Sequence, residues 1–322
     1  VLPLFMAARY RVTIIPILFL FGGYGVARIV GMCRTGALRQ AVVALGAAAC
    51  LVGVAHVEWV PYTPPKDVWH LTRAQAYDLK DQTVEAAEEL EQAVEAGGDR
   101  PLIYYMLGAA QQALGNTEQA TRWFQRCVER FPLYAPAQNA LGDMRYLEGA
   151  PVEAIEHYRQ AIAADYLYIV PRHNLGNLFV ELGGYDKAIE TFREILEIRP
   201  DDPHADYNWG RALALRGDRE AAIERFRIAL QKHPDHAEAH NYLGYELWKA
   251  GKTDEAIAHF RAALQLQPDL ALAHTNWAGL LYEQGEYAQA LEHINAVLRL
   301  NPDDSTAQDN RKLLIEKIEQ EG

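Results

Sequence analysis

A 34-residue period governs this chain. Glycines recur at 108, 142, 176, 210 and 244, and a second series runs through Gly115, Gly149, Gly183, Gly217, Gly251 and Gly285. Alanines 120, 154, 188, 222, 256 and 290 keep the same step, each followed four residues later by Phe124, Tyr158, Phe192, Phe226, Phe260 or Ile294. Prolines 132, 200, 234, 268 and 302 close all but one of the units, with Tyr166 in the remaining place. A unit this short cannot bury a hydrophobic face alone, so its neighbours must cover it and the architecture is a stack.

The residue types say what each unit is. The first glycine lacks bulk, so a second helix can approach closely. The second glycine ends the first helix, where a left-handed backbone is needed. Alanine and the residue four further on share one face of a second helix, with the aromatic filling the space between units. Proline then stops that helix and opens the next turn. Each unit is therefore a helix–turn–helix. The pattern resembles the tetratricopeptide repeat, which implies an all-α superhelix, an α-solenoid that acts as a protein-binding scaffold. Units are expected at 67–100, 101–134, 135–168, 169–202, 203–236, 237–270 and 271–304. The first is degenerate: it keeps Ala74, Tyr77, Ala86 and Ala93 but lacks the glycines. Residues 305–322 read as a capping helix, with Ser305 as N-cap and Leu313, Leu314 and Ile318 as its apolar face.

Charge divides the chain near residue 66. Residues 1–66 hold six Lys/Arg and one acid, Glu58, whereas the remainder holds 25 basic and 42 acidic residues. The acidic part argues against nucleic acid, which requires clustered cations, and for partners that are neutral or basic protein segments. Cys33, Cys50 and Cys127 form neither a disulfide framework nor a metal motif.

Before the repeats, Val12–Cys33 is apolar except for Thr13 and Arg28, and Ala41–Val57 is uncharged. Each approaches the roughly 20 residues of a spanning helix, so residues 1–58 read as a two-helix transmembrane segment in contact with membrane lipid. A buried hairpin in a soluble domain is the alternative. Arg28, Arg34 and Arg39 surround the connecting loop and place it in the cytoplasm, with the repeats extracytoplasmic on what would be a bacterial inner membrane. Arg9, Arg11, Lys66 and Arg73 count in the opposite direction. Residues 59–66, with Trp59, Tyr62 and three prolines, read as a stiff interfacial linker.

The stretch Ala8-Arg9-Tyr10-Arg11 leading into Val12-Thr13-Ile14-Ile15-Pro16 resembles the entry to a late membrane helix of glycosyltransferases that use lipid-linked sugars, such as protein O-mannosyltransferases and aminoarabinose transferases. That resemblance implies the C-terminal part of a polytopic enzyme whose repeats position an acceptor protein. The catalytic acids of that family lie upstream of Val1. Within the chain there is no nucleotide loop, no nucleophile elbow and no paired carboxylates, so no catalysis and no cofactor is expected.

A ligand is expected along the first helix of each unit. The sixth positions are Met106, Ala140, Asn174, Asn208, Tyr242 and Asn276. Repeats similar to those of O-linked N-acetylglucosamine transferases carry asparagine here, and its amide grips the backbone of an extended peptide. The fifth and ninth positions add Tyr105, Asn139, Asp143, His173, Asn177, Tyr207, Arg211, Asn241 and Tyr245, a polar and aromatic lining. Arg211 is the one cation among them, too few for the basic clamp of chaperone-tail binders. His236 and His240 are four apart, a spacing that suits a metal on a helix, but no dense His and carboxylate cluster supports one.

Overall fold

A computed structural model describes residues 64–321. Residues His70–Gly322 form one compact unit. The apolar runs at 12–33 and 41–57, the linker up to residue 63 and the glycosyltransferase-like stretch all lie outside the described residues. Among the described residues, no helix is long and apolar enough to cross a membrane.

Those residues form fifteen helices and no strand. The first helices of the successive pairs (A helices) are α1 (Lys66–Asp78), α3 (Pro101–Ala113), α5 (Ala135–Leu147), α7 (Val170–Glu181), α9 (Ala205–Arg216), α11 (Ala237–Lys249) and α13 (Ala271–Glu283). Their partners (B helices) are α2 (Thr83–Glu95), α4 (Thr117–Arg130), α6 (Pro151–Ala164), α8 (Tyr185–Ile198), α10 (Arg219–Lys232), α12 (Thr253–Leu266) and α14 (Tyr287–Leu300). A lone helix, α15 (Ser305–Glu321), follows.

Each A helix stops the same way. Gly115, Gly149, Gly183, Gly217, Gly251 and Gly285 all have positive φ. The amide of each glycine and of the residue after it turn back to the last carbonyls of the helix, as in Gly149 N–H to Tyr146 O and Ala150 N–H to Arg145 O. The degenerate first unit keeps this geometry without glycine. Asp81 stands in the corresponding place with φ +56°, and it alone among the described non-glycine residues has a positive φ.

The ring of the B helix packs against the next unit, as Phe124 does with Leu141 and Met144 and Phe226 with Leu243 and Leu247. It also covers the glycine of its own A helix, a contact that the spacing alone did not indicate. A methyl at Gly108, Gly142, Gly176, Gly210 or Gly244 would stand 2.5–2.9 Å from Phe124, Tyr158, Phe192, Phe226 or Phe260. Each ring is at most 3% exposed, so it has nowhere to move.

The A helices of neighbouring units touch (α5 with α7, α7 with α9, α9 with α11, α11 with α13), whereas no two B helices do so to the same extent. A stack whose A helices converge curves with them on the inside, which sets the fifth, sixth and ninth positions on one continuous inner face.

The final helix is capped differently from expectation. Asp304, not Ser305, accepts the Ala307 N–H, at 2.9 Å, because its side chain stands one residue before the first helical turn. Ala307 and Leu314 are its buried contacts, and Leu313 is exposed because it lies about 100° around the helix from Leu314.

Candidate functional site

The inner face is built from side chains that bridge one A helix to the next. Between α5 and α7, the Asn174 amide donates to Asn139 Oδ1 (3.1 Å) and to Asp143 Oδ1 (2.9 Å). Asp143 also accepts from Asn139 Nδ2 at 3.2 Å and from the Tyr158 hydroxyl at 2.8 Å. Burial raises the Asp143 pKa above the usual carboxylate value, against the pull of these donors from Tyr158, Asn139 and Asn174. The same contact recurs between α11 and α13, where Asn276 donates to Asn241 Oδ1 at 3.0 Å. Asn241 is fully buried, and its own Nδ2 has no partner.

Asn174 thus spends both amide hydrogens, and Asn276 one, on the neighbouring helix. Asn208, also buried, accepts from Arg211 at 3.2 Å. Asn177 holds a buried Oδ1 without a partner. Tyr245 packs edge-on against Trp248 on the same helix, ring centroids 5.8 Å apart.

Near the centre, the Arg211 guanidinium sits 5.7 Å from the ring centres of both Tyr207 and Tyr242, and those rings meet edge-on. Arg211 is half-buried and forms no ion pair with any described residue, in a unit where Arg225, Lys232 and Arg219 all find carboxylates. Both rings lie within cation–π reach of the guanidinium.

The rim of this face comes from residues that register alone did not flag. Ahead of three of the A helices, a residue one to three places before the helix leans onto the fifth position of the preceding one. Tyr134 meets Tyr105 edge-on (5.8 Å), Asp202 meets His173 Nε2 (3.1 Å) and His236 meets Tyr207 (4.7 Å). Asp202 Oδ1 also takes the N–H groups of His204 and Ala205, and His236 Nδ1 takes that of Ala239, so both cap the following helix. Burial opposes ionisation of Asp202, but His173 and the two amides outweigh it and its pKa is lowered. The 34-residue step from 134 through 168, 202 and 236 was the available signal. It was obscured because the residue type changes at every step.

Another periodic feature lies within five of the seven pairs, between residues nineteen apart on A and B. The pairs are His70–Glu89 (2.8 Å), Gln138–His157 (2.9 Å), Asp206–Arg225 (3.2 Å), His240–His259 (2.9 Å) and His274–His293 (2.8 Å). In several units the A-helix member also holds the carbonyl of the preceding turn: Gln138 with Pro132, Arg172 with Tyr166, His240 with Pro234 and His274 with Pro268. His236 Nδ1 is therefore engaged with α11, and the two nitrogens of His240 with His259 and a turn carbonyl, while His236 Nε2 is buried without a partner. Among the described residues, no three His, Cys, Asp or Glu side chains converge as metal ligands.

Residues 105–166 and 207–271 match one family model described as tetratricopeptide repeat, and residues 145–207 and 247–311 match a second of the same description. Between them they cover the array from the second pair to the capping helix. The chain belongs to the tetratricopeptide-repeat family. No curated protein matches it. Among solved structures, a tetratricopeptide repeat protein from Parabacteroides merdae is 16% identical, with 78% of this chain and 100% of that one covered at a TM-score of 0.62. The Cut9–Hcn1 hetero-tetramer of the APC/C is 19% identical, covering 78% of this chain and 53% of its own, at 0.59. PilF of Pseudomonas aeruginosa is 23% identical, covering 65% and 95%, at 0.56. At these identities the likeness shows that tetratricopeptide solenoids share this fold, and nothing of what they bind.

Proposed function

We propose that the tetratricopeptide array holds an extended protein segment along its inner face, on a chain anchored to a membrane by residues 12–57, with the array extracytoplasmic. The observation that carries the ligand reading is the Arg211 cradle. A half-buried guanidinium flanked by two tyrosines and Asn208, without a carboxylate from any described residue, is preorganised for an acceptor from outside the chain. The surrounding acidic surface favours a segment that is otherwise neutral or basic, so the fitting ligand carries a single carboxylate among uncharged or cationic residues. The carbonyl oxygens of Asn174 and Asn276 supply the acceptors for backbone N–H groups of such a segment.

A random dodecapeptide display library, selected on the full chain, tests this directly. Enriched peptides should share one Asp or Glu, and Arg211→Gln should weaken them roughly tenfold or more, the loss of one charge-assisted contact. Enriched peptides that bind Arg211→Gln as well as the parent would remove Arg211 from the site. If nothing is enriched, the groove reading itself fails.

The anchor and its sidedness rest on the two uncharged runs and on the arginines between them. Protease added to intact spheroplasts should cut the array without lysis. Protection until detergent is added would place it in the cytoplasm.

A further inference from the structure

Two consecutive units hold a contact that no other unit repeats. His240 Nδ1 lies 2.9 Å from His259 Nδ1, and His274 Nδ1 lies 2.8 Å from His293 Nδ1. In each pair the A-helix ring has its Nε2 at 3.1 Å from a proline carbonyl, of Pro234 or Pro268. A carbonyl only accepts, so His240 and His274 carry a proton on Nε2. In their neutral form they present a bare Nδ1 to the partner ring, and His259 and His293 fill it by donating Nδ1–H. The arrangement tolerates one extra proton per pair. With two, both facing nitrogens are donors, and two imidazolium charges meet at hydrogen-bond distance in a half-buried seam.

We propose that these two seams make residues 237–304 an acid-labile segment, which loosens while the repeats before it stay packed. The inference is independent of any ligand.

The groups that face each seam support it. Arg227 of α10 and Glu255 of α12 both act on His259, and they are paired with each other at 3.0 Å, so little net charge reaches the ring. On His240 the Pro234 carbonyl favours the proton and burial opposes it, with a net lowering. His293 feels the charge of His274, and the Trp277 ring lies tilted against it with centroids 4.4 Å apart. Burial first, then the facing histidine, pushes His259 and His293 from 6.5 down to about 4. A basic group whose folded pKa lies below its unfolded value stabilises fully above the unfolded pKa. That stability is lost as pH falls from 6.5 towards about 4.

The other seams lack this liability. Burial also lowers the pKa of His157, but Gln138 remains an acceptor when that ring is charged. Asp206 faces two cations, Arg225 and Lys232, and His70 faces a carboxylate. Mild acid leaves these pairs attractive.

Hydrogen-exchange mass spectrometry on the full chain, at about pH 7 and about pH 5 and expressed as protection factors, reads the effect segment by segment. Protection in α11–α14 should fall at least about tenfold more than in α3–α6. A double variant, His240→Gln with His274→Gln, copies the Gln138–His157 seam and should abolish most of that difference while keeping protection at neutral pH. If the double variant is unfolded, His259→Gln with His293→Gln supplies the same test with an amide donor on the B helix. An equal fall in both halves of the parent chain overturns the proposal. So does an undiminished acid loss in whichever glutamine variant folds.

Discussion

The inner five units and the outer two solve one packing problem with opposite distributions of volume. At the A–B crossing the inner units place glycine on the A helix and a Phe or Tyr ring sixteen residues later on the B helix. The first unit has Ala74 and Leu90 in those places and the last has Ala278 and Ile294, each pair buried within one cluster. A methyl gained on one helix accompanies ring atoms lost on the other. The glycine is therefore conditional on the ring, rather than a requirement of the crossing.

That reading is broken most directly at the centre of the array. Gly176→Ala puts a methyl 2.6 Å from the Phe192 ring, which is fully buried. Helix propensity favours the alanine by about 0.5–1 kcal/mol, but overpacking of a rigid seam costs more, and we expect a net loss of about 1–3 kcal/mol. Adding Phe192→Leu reproduces the outer-unit pair and should recover most of it. Urea unfolding of the two single variants and the double closes the cycle. Additive losses in the double variant would mean that the two positions do not share one volume.

The period, the helix pairs and the crossing residues are legible because the same residue type returns at each step. What was not legible returns in geometry only. The A–B seam is His–Glu, Gln–His, Asp–Arg and His–His at corresponding places of the first, third, fifth and sixth units. The rim is Tyr134, Asp202 and His236. A pattern search for a recurring residue passes over both. The inner-face positions followed from register, but register does not reveal that Asn174 and Asn276 already donate to the neighbouring helix. The cap of the last helix was misplaced by one residue because Asp304 and Ser305 are both good cap residues, and only the backbone distinguishes them.

Tyr158 sharpens the comparison within the inner five, since the other four rings are Phe. Its hydroxyl is one of the donors on the buried Asp143 carboxylate. Tyr158→Phe keeps the ring over Gly142 and removes only that bond, so it should cost about 1–2 kcal/mol at neutral pH. The sign with pH follows from Asp143, whose folded pKa is raised. Its ionised form is the disfavoured one, so the cost of the variant should shrink as pH falls and the carboxyl takes up a proton. A cost that grows in acid would place the hydroxyl's role elsewhere than on the ionised carboxylate.

The smallest expected effect concerns how the helices end. Six A helices end on a glycine with positive φ, and the first ends on Asp81 with the same backbone. A left-handed conformation costs an L residue about 1 kcal/mol, somewhat less for Asp, whose short side chain tolerates it better than most. Asp81→Gly should relieve that strain, offset in part by the greater freedom glycine gives the unfolded chain, for a net gain of about 0.5 kcal/mol. The mirror change, Gly115→Asp, meets open space and so adds strain without a clash, and should lose a similar amount. Because units in a solenoid report mainly on their neighbours, exchange protection in α1–α3 is the readout for both. Opposite signs would show that the degenerate first unit departs from the pattern by accepting backbone strain. If Asp81→Gly instead destabilises, the aspartate side chain contributes an interaction that outweighs its strain, and the first unit is specialised rather than degenerate.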